Sequence, residues 1–353
     1  MSDAGATRGD ACFDVRLDHG AVGDGDANDG PAVQAALTAA GSAGVPAVVH
    51  LRAGTYSTDR CLDVPDNVTV RGDGIGRTII KGRSGLASVR SVNGGYTLLG
   101  QASGASENIA VRDLTVDAHH AGVGVTSSST YREHSSIVDF RGIAGLTFEN
   151  VEVKNGWFWH LTSWHSSDVM VRNCRVTGPG TTGMYDQCDG IHLASVTRGS
   201  IIGCHVDQGA GQDGDDGIAI HVFPGDGACT DVVIADNIIR GGHHGSGIDL
   251  ANSDGTIAGV TIGNNVIWGC RREGIVTNWF SSFTGSTQDV VIANNVVRDC
   301  GAGIVLGDSS GNDAPYRNFV VSGNLCSRSG GAPSQVSTAN SSNINLVNNY
   351  TGA

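Results

Sequence analysis

The recurring glycine-isoleucine pairs constrain this chain more than any other feature. Gly190-Ile191, Gly217-Ile218 and Gly247-Ile248 follow one another at steps of 27 and 30 residues, and the series continues at Gly274-Ile275 and Gly303-Ile304. Self-similarity at such a period is the mark of a solenoid, in which each repeat buries its apolar edge on its neighbours. Short β-branched runs recur with it, among them 168–176, 200–206, 231–239, 257–267 and 288–297. They alternate Val or Ile with polar residues, which is the period of a strand. Leucine-rich repeats are of similar length, but their Leu-x-x-Leu-x-Leu pattern is missing, and no 3.6-residue apolar spacing supports helical repeats. Asparagines mark the bends, as at Asn173, Asp236-Asn237, Asn264-Asn265, Asn294-Asn295 and Asn348-Asn349. Asparagine tolerates the left-handed backbone that a sharp bend requires. The expectation is an all-β chain wound as a right-handed parallel β-helix, a single domain over 1–353. Residues 1–60 form its cap and first coil, and 61–349 its repeating coils.

The bulk properties fit that architecture. The 53 glycines, with no collagen triplet or linker run, suit many tight turns between short strands. Pro31 to Ala40 reads as an alanine-rich helix, with Asp29 as its N-cap, laid over the exposed end of the first coil. Of nine cysteines, Cys174 and Cys204 fall at matching places in successive repeats, as do Cys270 and Cys300. Stacked, reduced thiols are therefore expected rather than a disulfide framework. A net charge of −13 argues against nucleic-acid and anionic-membrane partners, which need clustered Lys and Arg. Neither a membrane-length apolar run nor a basic-then-apolar leader is present, so neither a membrane span nor a signal peptide is expected.

Alternation along the repeated strand sorts its side chains. One and three places after each glycine stand Ile191/Leu193, Ile218/Ile220, Ile248/Leu250, Ile275/Thr277 and Ile304/Leu306, the inward set. The outward rows are then His192, Ala219, Asp249, Val276, Val305 and Ala194, His221, Ala251, Asn278, Gly307. Immediately before the glycines stand Asp189, Asp216, Ser246, Glu273 and Ala302. Parallel strands lie about 4.8 Å apart, so Asp189 and Asp216 come close on one face, with Asp215 beside them. Carboxylates that close repel, which raises at least one pKa and sets a protonated acid beside an ionised base. The same Asp-Gly dipeptides also make ordinary turns, and the same cluster offers the hard oxygens of a calcium site. His192, His221, His243 and His244 lie along this face. Carrying the Cys174/Cys204 offset back one coil sets Trp159 beside Asp189. Trp157, Trp159, Trp164 and Tyr185 are candidates to stack on sugar rings, or aromatic caps on the coil edge.

These residues resemble a known family. Gly20-Ala21-Val22-Gly23-Asp24-Gly25 with its following helix, and Leu51-Arg52-Ala53-Gly54-Thr55-Tyr56, look like the entry to the pectin-lyase-like β-helix superfamily. Cys188-Asp189-Gly190-Ile191-His192 resembles the Asn-Thr-Asp-Gly motif of glycoside hydrolase family 28, the polygalacturonases. Gly214-Asp215-Asp216-Gly217-Ile218-Ala219-Ile220 resembles that family's Gly-Asp-Asp-Cys-Ile-Ala-Ile. The resemblance implies Asp215 as general acid, and Asp189 with Asp216 activating water for single displacement with inversion, on carboxyls roughly 6.5–9.5 Å apart. It implies a catalytic histidine matched by His244, which here stands two residues from the family's place, that place being Ser246. His192, His221, Trp159, Tyr185, Asp249 and Asn278 are the candidate substrate-binding residues. The family's Arg-Ile-Lys, which grips a substrate carboxylate, falls at Val276-Thr277-Asn278, with Arg271 and Arg272 on the preceding turn.

Three functions follow as expectations. The first is a glycosidase needing no cofactor and acting on a carbohydrate other than polygalacturonate. The second is a calcium-dependent polysaccharide lyase or sugar epimerase, with Tyr131, Arg132 or His134 available as base. The Asp-Pro-His-Asp motif of alginate epimerases is absent, the matching turn reading Thr162-Ser163-Trp164-His165. The third is a non-catalytic carbohydrate-binding β-helix.

Overall fold

A computed structural model describes residues 10–86, 97–101, 105–124, 136–178, 188–209, 214–279, 285–307, 316–329, 334–336 and 341–352. The chain winds as a parallel β-helix. Among the described residues the strand pairings are parallel, as where Ile191–Ala194 pairs with Ile218–Val222 and that strand with Ile248–Asn252. From Leu161 onward, successive coils each give one short strand to a ten-stranded sheet and two to a larger sheet. One such coil runs Ile191–Ala194, Thr197–Ile202 and His205–Asp207. No helix among the described residues is long and apolar enough to cross a membrane.

Register in the ten-stranded sheet follows the glycine period. Ile191, Ile218, Ile248, Ile275 and Ile304 stack in one row, and Leu193, Ile220, Leu250, Thr277 and Leu306 in another. Both rows are buried and form the core inside the coil. The outward row runs His192, Ala219, Asp249, Val276, Val305, as alternation requires. A Cβ added at Gly190 would lie 2.5 Å from the Gly217 carbonyl oxygen, and one at Gly217 would lie 2.7 Å from that of Gly247. The period is glycine because consecutive backbones meet there too closely for a side chain.

The opposite bend carries a second column. Asn237, Asn265, Asn295, Asn324 and Asn349 stack with each Nδ2 donating to the next Oδ1 at 2.9–3.0 Å. The residue before each takes the left-handed conformation, as at Asp236 and Asn264. Cys204 continues this column downward, its N–H donating to Asn237 Oδ1 at 2.8 Å. All nine cysteines are thiols and eight are buried, the expected reduced state. The N-terminal helix spans Gly30–Gly41 and packs on the first strands. Asp29 stands at its N-cap without capping it. Its carboxylate instead accepts the Val22 and Gly23 N–H groups at 2.7 and 2.9 Å, tying down the Gly-rich turn.

Candidate active site

The positions preceding the glycines form one column. The His160 N–H donates to the Asp189 carbonyl (3.0 Å), Gly190 to Asp216 (2.9 Å), Gly217 to Ser246 (2.9 Å) and Gly247 to Glu273 (3.0 Å). These ladder bonds set Trp159, Asp189, Asp216, Ser246 and Glu273 on successive coils, and Glu273 pairs with Ala302. Asp215 joins from the turn just before Asp216. Asp189, Asp215 and Asp216 each present an oxygen, and the three oxygens lie within 4.8 Å of one another. Two hydrogen bonds of about 2.8 Å from one water span such a gap, so a water between two of these carboxyls is held by both.

The surroundings fix the carboxyls by donation. Asp189 is buried; its Oδ1 accepts the Asp216 N–H at 3.2 Å, and its Oδ2 lies 2.6 Å from His192 Nδ1. A contact that short requires a proton between the two atoms. Asp216 Oδ1 accepts the Ser246 N–H at 2.6 Å. Burial pushes Asp189 well above the ordinary carboxylate range. Burial, then the Asp189 charge, pushes Asp216 up likewise. Two raised carboxyls sharing one site ionise in separate steps, and between those steps an acid stands beside a base.

Backbone packing presents Asp215. The turn of the following coil lies directly on it: Gly242 N–H donates to the Asp215 carbonyl and His244 N–H to that of Gly214, both at 3.0 Å. A Cβ on Gly245 would lie 2.5 Å from Asp215 Oδ1 and 2.4 Å from the Asp216 nitrogen, so only glycine lets the two turns close. His243 and His244 are exposed on this turn. Ser246 takes the column place, so the structure retains the two-residue offset of His244.

Several residues singled out as candidate substrate contacts are engaged in packing. Trp157 and Trp159 are buried, and Trp159 stacks on His192 with ring centroids 3.9 Å apart and lies 4.3 Å from Phe158. Its faces hold His192 in place and are not open to a sugar. Trp164 is also buried, stacked on Phe223 at 4.9 Å with the Arg141 guanidinium 4.6 Å over its ring. His192 and Asp249 are buried too. His221 stacks on Phe223 at 3.7 Å and meets Ser253 Oγ through Nε2 at 3.0 Å. Burial, then His192, holds its pKa well below the usual value. Asn278 pairs in register with Ala251. Tyr185, Tyr131, Arg132 and His134 lie outside the described residues.

His160 is a supporting group that sequence reasoning missed. It is fully buried, and burial holds its pKa down at about 4, so the ring is neutral. Its Nδ1 donates to the Asp189 carbonyl at 3.0 Å, and its Nε2 accepts the Gly156 N–H at 3.3 Å. This fixes both the tautomer and the Asp189 backbone. Its signal in the sequence was its place directly after Trp159 in the column.

Both Asp189 oxygens and one of Asp216 already face N–H groups, whereas calcium takes six to eight oxygen ligands from ionised or carbonyl groups.

Comparison with known proteins agrees with this architecture. The model of the rhamnogalacturonase A/epimerase, pectate lyase-like family matches residues 12–185. The model of the right-handed beta helix region matches residues 100–287. Mannuronan C5-epimerase AlgE1 of Azotobacter vinelandii is 40% identical over 121 residues, 31% of this chain, and the match spans only 8% of the epimerase. A hyperthermoactive exopolygalacturonase from Thermotoga maritima superposes with a TM-score of 0.64 at 16% identity, covering 96% of this chain and 92% of its own. The endo-xylogalacturonan hydrolase of Aspergillus tubingensis superposes at 0.68 with 15% identity, over 97% and 95%. At these identities the superpositions establish the fold, and together with the match over residues 100–287 they show that this chain belongs to the right-handed β-helix family.

Proposed function

We propose that this protein is a glycosidase that cleaves a glycosidic bond with the Asp189, Asp215 and Asp216 carboxyls. The observation that carries the reading is the cluster itself, three oxygens within 4.8 Å on one face with two of the carboxyls raised by burial. Asp189 and Asp216 hold the water with one proton between them, and the ionised member of the pair deprotonates it. A raised pKa makes each, once ionised, a stronger base than an ordinary aspartate. Asp215, presented from the turn, protonates the leaving oxygen. Direct attack by that water, with no covalent glycosyl intermediate, inverts the anomeric centre and requires no bound cofactor. The polygalacturonase-like motifs around Asp189 and Asp215, and the hydrolases among the superposed structures, support the reading. Val276-Thr277-Asn278 brings no cation to the strand that would grip a polyuronate, so the substrate is a neutral or weakly acidic glycan or glycoside.

A second reading, a polysaccharide lyase or C5-epimerase, is favoured by the 40% identity to a mannuronan epimerase over 121 residues. A screen of neutral and acidic glycans, with and without chelator, separates the two. New reducing ends without unsaturation, indifferent to chelator, are expected. Unsaturated or epimerised products lost on chelation would overturn the glycosidase. Proton NMR of the first-formed anomer tests the displacement, with inversion expected. Binding without turnover, unchanged in Asp215→Asn, would leave a carbohydrate-binding β-helix.

A further inference from the structure

The acid column continues past its catalytic members. Ser246, fully buried, sits between Asp216 and Glu273 and touches both. Its N–H donates to Asp216 Oδ1 at 2.6 Å, and its hydroxyl donates to Glu273 Oε2 at 3.1 Å. The same Oε2 lies 3.6 Å from Arg272 Nε. Serine thus stands between two carboxylates and serves each through a different donor.

We propose that Glu273 is a positioning residue for Asp216: it clamps the Ser246 hydroxyl so that the Ser246 N–H stays aimed at Asp216, and its charge, opposed by Arg272, biases the Asp216 proton. The inference rests on reading Asp216 as part of the acid/base set. Asp216 is faced by Asp189 from the coil before, with His192 behind it, and by Asp215 from its own turn. His243 and His244 stand on the next turn, and Arg272 and Glu273 on the coil after. The Glu273 charge raises Asp216 and the Arg272 charge lowers it. Asp216 and Glu273 are two strand spacings apart, about 10 Å. At that distance and an effective dielectric of about 20, one charge moves a titration by about one pH unit.

The test needs no substrate. In the full chain labelled with carbon-13 at aspartate carboxyls, the Asp216 resonance is assigned by its loss in Asp216→Asn. It is then titrated in the wild type, Glu273→Gln and Arg272→Gln. Glutamine keeps an acceptor for the Ser246 hydroxyl, so the clamp survives while the charge goes. The Asp216 midpoint is expected to fall by about one pH unit in Glu273→Gln and to rise in Arg272→Gln. Midpoints that stay put in both, or move the same way, would overturn the proposal. Should Glu273→Gln not fold, the exposed Arg272→Gln carries the test of sign alone. A protein that cleaves no glycan still titrates, so loss of the glycosidase reading and loss of this one are separately visible. Where cleavage is found, the acidic limb of kcat/KM against pH should move with the same midpoints.

Discussion

Two columns of polar side chains run along this coil, and they use one geometry to opposite ends. On one bend, Asn237 to Asn349 stack so that each amide from Asn237 to Asn324 donates to the Oδ1 of the next, and the stack is neutral. On the active face, Asp189, Asp216 and Glu273 stack with only Ser246 between them, and carboxylates can only accept. The amide column satisfies itself. The carboxylate column depends on donors from elsewhere, on His192, Ser246 and the backbone of Asp216, and on retained protons. Register dictates proximity in both; donor and acceptor chemistry decides whether proximity stabilises the coil or poises a reaction.

Making the acid cluster amide-like gives the largest effect. Asp215→Asn should lower turnover on a responsive glycan by about 10²–10⁴-fold, read from initial rates, with the fold intact by circular dichroism. Making the amide column acid-like comes next. Asn265→Asp replaces a donor that serves both the Ile234 carbonyl and Asn295 Oδ1, each at 3.0 Å, with an acceptor. Denaturant unfolding should show a loss of about 3 kcal/mol at neutral pH. The loss should shrink at low pH, where a protonated carboxyl restores one donor. The smallest effect has the opposite sign. Folding raises the Asp189 and Asp216 pKa values, so their contribution to stability is fully present below the unfolded value near 3.8 and fades as pH climbs towards and through the folded values. Asp216→Asn removes part of that fade and keeps an acceptor for the Ser246 N–H. It should raise stability at pH 8 by about 1–2 kcal/mol and change it little at pH 4, measured as melting temperature.

Much of this was legible in the sequence, because a period fixes Cα positions. The Gly-Ile spacing gave the stacked strand, its inward Ile rows and the closeness of Asp189 to Asp216. The Asn positions gave the second bend. What a period does not fix is the side-chain rotamer or the contacts made around the coil. Trp159, whose column was known, stood open as a sugar platform or an aromatic cap, and it turns its ring onto His192. His160 stood directly after Trp159 in the sequence, but its role runs through a carbonyl 29 residues away. Phe223, two residues beyond His221 and just past the end of its strand, falls on the same outward face by alternation. Ser246 and Glu273 stood in the column from the start, but a serine between acids has no motif to announce it.

The close backbone contact at Gly190 and Gly217 gives the molecule a unit of growth. Because each coil meets the next through glycine, with no side chain keyed between them at that point, a coil can be added or lost at either end without disturbing the fit inside the coils already present. The outward face of the stack can therefore lengthen in steps of one strand spacing while Asp189, Asp215 and Asp216 keep their mutual distances, so the extent of that face and the arrangement of its acid cluster are free to vary independently.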